Sequence, residues 1–292
     1  MLHQEYTWRA FDNTKLFAQS WQTKEKPKVV INLIHGLGEH SGRYSQWSEW
    51  FQNQNCAVLA FDLRGHGRSE GKRGYTPSYQ HLMKDIDLLL KKSQLLFPDS
   101  PKILYGHSLG GNLALNYVIT HHPHIAGIIS TSPLLRLFQQ PPEWQTLLVK
   151  NIIRIYPSFL AKTRLKATDI SHNPEVVKKY KDDPLVHDLI TARLYFEIQV
   201  ASRLILSNKH KVSIPLLLMH GTSDRITSYN ASRQFANNTS SNTTFKGWTG
   251  MYHELHNENN NAEVFNFIVN WIDQIIGNKC KINSGQLLTS ER

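Results

Sequence analysis

Two cysteines in 292 residues are too few for a disulfide framework, and their settings differ, Cys56 in an apolar run and Cys280 in a polar tail. That usage favours a reducing, cytoplasmic compartment. The N-terminus, Met1-Leu2-His3-Gln4-Glu5, has no cationic region followed by an apolar stretch, so no secretory signal is expected. No apolar run reaches the roughly 20 residues that a membrane-crossing helix needs. No His, Cys or Asp cluster has metal-ligand spacing, and no helix-turn-helix or aromatic RNA-binding signature accompanies the formal charge of +10. Neither a metal nor a nucleic acid is therefore expected, and a basic face toward acidic lipid headgroups suits the charge better.

What is present is a strand and helix rhythm. Apolar residues make up 40% of the chain, enough for one large core. Glu5 to Phe11 and Leu16 to Gln22 read as two antiparallel strands joined by turn chemistry at Asp12-Asn13. Val29 to Ile34 and Ala57 to Phe61 are nearly continuous apolar runs, as expected of strands covered on both faces. Ser78 to Phe97 has Leu82, Ile86, Leu89 and Leu90 at helical spacing, and Pro98 stops it. Lys102 to Tyr105 and Ile125 to Ser130 add two strands around a helix. The rhythm breaks after Pro133 and resumes at Pro215 to Met219, followed by a last strand near Thr243 to Trp248 and a helix from about Asn261 to Ile276. These elements predict an α/β fold: a mostly parallel eight-stranded sheet flanked by helices, with a mainly helical cap inserted after the sixth strand. The expected boundaries are a discontinuous core of residues 1–133 and 213–276, a cap of 134–212 and a poorly ordered polar tail of 277–292.

Chemistry concentrates at Gly106-His107-Ser108-Leu109-Gly110, which has the form of a nucleophile elbow between a strand and a helix. A serine hydroxyl is a weak nucleophile and needs a base, an orienting acid and donors for the oxyanion. Asp224 follows a later strand and His253 follows the last, giving the order Ser, Asp, His of the α/β-hydrolase fold. Asp182 and Asp183 are rival acids but fall in the cap, and Asp62 is expected to fix a turn. His256 rivals His253, which is preferred because it lies nearer the end of the preceding strand. Oxyanion donors are expected from the backbone N–H groups of Leu109 and, on the His35-Gly36-Leu37 loop, of Leu37. His35 and His107 read as supporting histidines.

His35-Gly36-Leu37-Gly38-Glu39-His40-Ser41-Gly42-Arg43-Tyr44 resembles the oxyanion-loop signature of the monoacylglycerol lipase and lysophospholipase family. Asp62 to Ser69, the elbow through Gly111, His220-Gly221-x-x-Asp224 and Tyr252-His253-x-Leu255-His256-Asn257-Glu258 match it too, and the likeness runs to about Ile276. The resemblance implies a serine hydrolase that cleaves one acyl chain from glycerol or a lysophospholipid without a cofactor, and it makes His253 the catalytic histidine. Leu37 stands where a smaller residue is common in that family and Leu109 where Met is frequent. Readings that stay open are an acyltransferase, a broad carboxylesterase or thioesterase using the same triad, and a non-catalytic lipid-binding protein.

The cap bears on substrate choice. Between Pro141 and Pro157, Trp144, Leu147, Leu148, Ile152 and Ile155 form one apolar stripe and Val149, Ile153 and Tyr156 another. Trp144, Leu148 and Ile152 are the expected acyl-chain contacts. With Lys150, Arg154, Lys162, Arg164 and Lys166 nearby, the segment also offers peripheral contact with a membrane surface. Ordinary packing of the cap on the core accounts for the same pattern.

Overall fold

Four six-residue strands buried along their whole length, β3 (Val29–Ile34), β4 (Cys56–Phe61), β5 (Lys102–His107) and β9 (Leu216–Gly221), set the architecture. The computed structural model describes residues 2–142, 144, 152–153, 155–156, 158–163, 165–207, 212–239 and 241–287. Around these strands run β1 (Leu2–Arg9), β2 (Lys15–Gln22), β6 (Gly127–Thr131) and β10 (Thr243–Trp248). The order across the sheet is β1-β2-β4-β3-β5-β6-β9-β10. β1, β2 and β4 pair antiparallel and every later neighbour parallel, so the mostly parallel eight-stranded sheet is as expected.

Successive strand residues point to opposite faces and fill two cores. Val30, Ile34, Leu59, Leu104, Leu216 and Leu218 face one, covered by α2 (Tyr79–Leu96), α3 (Leu109–His121), α5 (Ala192–Ser207) and α6 (Tyr229–Asn238). Ile31, Leu33, Val58, Ile103, Leu217 and Met219 face the other, covered by α1 (Ser45–Asn53) and α7 (Asn261–Leu287). Each such fully buried aliphatic side chain stabilises the fold by about 1.5–3 kcal/mol relative to exposure. α7 continues past Ile276, where the polar tail was expected to begin. No proline interrupts it, and Gly277 lowers helix stability by only about 1 kcal/mol relative to alanine. Among the described residues no helix is long and apolar enough to cross a membrane.

Between β6 and β9 the chain leaves the sheet. This excursion holds α4 (Pro174–Asp182), α5 and two short antiparallel strands, β7 (Leu160–Lys162) and β8 (Leu189–Thr191). The strands escape a sequence reading because three residues are too few to display an alternation. Asn112 of α3 ties the excursion down, donating from Nδ2 to Leu134 O and Ser202 Oγ while accepting from Tyr79 Oη at 2.7 Å. A second tether runs from His187 N–H to Gly38 O (2.8 Å) and from Thr191 N–H to Gly74 O (3.0 Å).

The chain goes from β3 outward to β4 and then returns to place β5 on the other side of β3. At such a switch the loops leaving the two strands diverge and open a crevice beyond their carboxyl ends. Residues 35–40 and the elbow are those two loops. Their closeness leaves no room for a side chain at Gly110, where a Cβ would stand 2.1 Å from Ile34 O. Gly110→Ala is therefore expected to lower the melting temperature by about 2–10 °C. Gly277→Ala, with nothing within 4 Å, serves as the control and is expected to leave it unchanged or higher. An unaltered melting temperature in Gly110→Ala would show that the loops separate freely.

Candidate active site

Ser108 is held in the left-handed region, with φ 53° and ψ −112°. A non-glycine residue keeps that conformation only when its surroundings over-determine it. Its N–H donates to Thr131 O (2.9 Å), and its carbonyl accepts from Asn112 N–H (3.0 Å) and Leu134 N–H (2.9 Å). The turn is tight enough that a Cβ on Gly106 would lie 2.2 Å from Gly110 O. Leu109, buried, is the first residue of α3, so its N–H has no acceptor within the helix and lies at the positive end of the helix dipole.

Across from the elbow, β3 runs into His35, whose Nε2 accepts from Leu63 N–H at 2.9 Å. Its Nδ1 therefore carries the proton and donates to Gly36 O at 2.7 Å. Gly36 N–H is taken by Glu39 Oε1 (2.6 Å), and a Cβ on Gly36 would lie 3.2 Å from Ser108 Cβ, so the loop backbone rests against the serine. Leu37 follows and lines the same cavity as Ser108. Asp62 fixes a turn as expected: its Oδ1 accepts from Ser41 N–H and Oγ–H (2.8 and 2.6 Å), and its Oδ2 accepts from Arg68 N–H (2.8 Å).

Asp224 and His253 meet. His253 Nδ1–H donates to Asp224 Oδ2 at 2.7 Å, and both residues are buried. The carboxylate also accepts from Ile226 N–H and Thr227 N–H at Oδ1 (2.7 and 2.9 Å) and from Thr227 Oγ1–H at Oδ2 (2.8 Å). Burial pushes the Asp224 carboxyl up, but the histidines beside it and their hydrogen bonds hold it well below the usual range. For His253 burial works downward, and the Asp224 charge and hydrogen bond, with Glu254 and Glu39 beyond, leave it above its ordinary 6.5. His253 and Ser108 line one cavity of about 930 Å³. Among the described residues the Ser108 hydroxyl makes no hydrogen bond of its own; hydrogen bonds between a nucleophile and its base are often long in unliganded enzymes.

The rivals fall elsewhere. His256 stacks on Tyr44 with ring centroids 4.6 Å apart, neither of its nitrogens has a partner among the described residues, and burial pushes it down to about 4. His107 bonds Thr131 Oγ1 at 3.0 Å and packs its ring against those of His253 and His256. Asp183 pairs with His40 at 2.8 Å, tying the excursion to the loop after β3. Of the cap positions, Trp144 and Ile152 line the cavity, Trp144 being 58% exposed at its rim, whereas Leu148 lies outside the described residues.

Sequence reasoning missed a buried charge cluster in the cavity wall. Arg43 spans Glu254 with both terminal nitrogens (2.7 Å each) and reaches Glu39 at 2.7 Å, while Tyr44 Oη–H also donates to Glu39. Burial would push Glu254 up, but Arg43 holds it at about 2. Tyr180 of α4 lies under the Arg43 guanidinium, 4.7 Å from ring centroid to Cζ. The signal was present as an i,i+4 Glu39/Arg43 pair and a carboxylate beside His253, but nothing in the sequence joins the two.

This arrangement has known counterparts. The family described as Serine aminopeptidase, S33 (Hydrolase_4) matches residues 25–260. A putative monoglyceride lipase of Schizosaccharomyces pombe is 30% identical over 87% of this chain and 69% of its own length. An uncharacterized abhydrolase domain-containing protein of Dictyostelium discoideum is 38% identical over 91% of this chain, which spans only 28% of that larger relative. The crystal structure of a Paleococcus ferrophilus monoacylglycerol lipase superimposes with a TM-score of 0.82 at 33% identity, covering 89% of this chain and 99% of that one. Matched in family, sequence and topology over most of its length, the chain belongs to the monoacylglycerol lipase-like α/β hydrolases of the Hydrolase_4 family.

Proposed function

We propose that this chain hydrolyses the ester of a single-chain acylglycerol through an acyl-enzyme on Ser108. The observation that carries the reading is the buried His253–Asp224 pair at 2.7 Å, sharing a cavity with a serine in strained backbone geometry. His253 takes the Ser108 proton, and the alkoxide attacks the ester carbonyl. The N–H groups of Leu37 and Leu109 hold the oxyanion. The His253 imidazolium then protonates the departing alcohol, and a water deprotonated by the same histidine releases the fatty acid. Asp224 keeps the His253 proton on Nδ1 and stabilises the imidazolium.

Wall chemistry supports an uncharged alcohol. Leu134, Leu137, Phe138, Ile152 and Ile198 supply an apolar stretch suited to an acyl chain, while Glu39, Glu254, Arg43 and Tyr180 supply a polar one. Two buried carboxylates against one guanidinium leave a net negative wall, which accepts hydrogen bonds from glycerol hydroxyls and repels a phosphate. The relatives described as monoglyceride lipases agree with this choice. A lysophospholipid is the second reading, favoured by Lys162, Lys166 and Arg225 at the cavity. These three are exposed, however, where solvent and salt screen their charge. Phe138, Trp144 and Phe159, 54%, 58% and 42% exposed, form an apolar rim that we place at the edge of a lipid surface.

Ser108→Ala is expected to lower turnover by about 10⁴–10⁶-fold with an unchanged circular dichroism spectrum. Near-normal esterase activity in that variant would remove Ser108 from the mechanism. His253 must be neutral to act as base, and it sits above 6.5, so kcat/KM should fall on acidification with a midpoint above 6.5. A midpoint below 6.5, or a flat profile, counts against His253. In a hydrolysis panel, a 1-acylglycerol should exceed its 3-phosphate by about tenfold or more in kcat/KM; the reverse order establishes the lysophospholipid reading. In the same panel, Trp144→Ser with Phe159→Ser should slow hydrolysis of vesicle-borne monoacylglycerol and spare a soluble short-chain ester, and equal losses on both would argue against the lipid-edge placement.

A further inference from the structure

We infer that His220 is a positioning residue of the hydrolytic site, acting through Asp224 and not on the substrate. The inference rests on the triad proposed above. His220 lies in β9, wholly buried, four residues before Asp224. Its Nε2 stands 3.0 Å from Asp224 Oδ2, the same oxygen that receives the His253 Nδ1–H at 2.7 Å, and a nitrogen facing a carboxylate at that distance carries its proton. The Asp224 carboxylate is thus flanked by two imidazoles.

The tautomer of His220 is set from behind. Its Nδ1 is 2.8 Å from Ser232 Oγ on α6, itself wholly buried. A ring that donates from Nε2 while neutral must accept at Nδ1, so the Ser232 hydroxyl donates. Thr227 Oγ1 lies 3.3 Å from His220 Nε2 and 3.3 Å from His253 Nδ1, which fills the space between the rings. The result is a line running Ser232 to His220 to Asp224, ending on the carboxylate oxygen that His253 also uses. Among the described residues His220 does not line the cavity, so any influence on turnover passes through Asp224.

Two effects follow. The Nε2–H anchors the carboxylate against rotation, keeping Oδ2 directed at His253. It also takes up part of the negative charge on Oδ2, leaving less to stabilise the His253 imidazolium. His253 is faced by Glu254 and Glu39 and by the His107 and His256 rings, and the Tyr229 ring stands T-shaped to His220 with centroids 6.0 Å apart. None of these changes when position 220 or 232 is varied. A movement of the acidic limb in such variants therefore reports the donor to Asp224.

The test is kcat/KM against pH for wild type, His220→Leu, His220→Gln and Ser232→Ala. His220→Leu removes the donor and should move the acidic limb upward by about half to one pH unit. It should also lower kcat with little change in KM. His220→Gln, whose amide N–H reaches the same place, should bring the limb back to the wild-type position. Ser232→Ala frees the tautomer, allows a lone pair to face the carboxylate, and should move the limb in the same direction. It decides the matter alone if His220→Leu does not fold. A wild-type limb in Ser232→Ala and in any folded His220→Leu, with stability as the only loss, overturns the inference. Absence of an acidic limb in the wild type overturns the triad itself, and the role of His220 with it.

Discussion

A left-handed backbone at one serine is the constraint around which the centre of the molecule is arranged. Holding Ser108 at φ 53° costs about 1–3 kcal/mol, and the local bond from Asn112 N–H is only one of the interactions that offset it. The others come from neighbours: β3 and β6 on either side of β5, the Thr131 carbonyl, the Leu134 amide, and the Gly106 and Gly110 backbones packed without side chains between them. The strain is therefore a property of the assembled sheet. An isolated strand–turn–helix with the same residues has no means to sustain it.

Charge is handled in the same distributed manner. Two strongly desolvated groups stand on either side of His253: Asp224, satisfied by backbone amides and hydroxyl or imidazole donors, and Glu254, satisfied by both nitrogens of Arg43. Burying a carboxylate is favourable only where donors replace its water, and both have them. Because Arg43 also holds Glu39, and Glu39 holds the Gly36 amide, the loop that carries His253 and the loop after β3 share one ionic clamp.

Much of this could be read in the chain. The continuous apolar runs of β3, β4 and β9 announce strands covered on both faces, and Gly106-His107-Ser108-Leu109-Gly110 announces a turn that tolerates no side chains at its ends. Position after strands set Asp224 and His253 apart from Asp183 and His256 as expectations, and the structure brings the first two within 2.7 Å while Asp183 pairs with His40. The Arg43–Glu254 contact was not legible, since its partners lie 211 residues apart and neither carries a pattern that points to the other. His220 was visible in the chain only as part of the His220-Gly221-x-x-Asp224 motif, and it takes the folded loop to bring its ring within 3.0 Å of the Asp224 carboxylate. β7 and β8 fell below the length at which alternation is visible. Helix α7 outran its expected end because a single glycine weakens a helix without terminating it.

The tether between His187 and Gly38 has a mechanical consequence. The cap and the oxyanion loop share a backbone hydrogen bond, and a side chain at Gly38 would meet the His187 carbonyl at 2.1 Å, so the two surfaces are in register as well as in contact. Displacing residues 187–191 would break the bonds to Gly38 O and Gly74 O and so loosen the loop that carries Leu37. The rear edge of the excursion is thus fastened to the loop after β3, whereas Phe138, Trp144 and Phe159 at the cavity stand exposed.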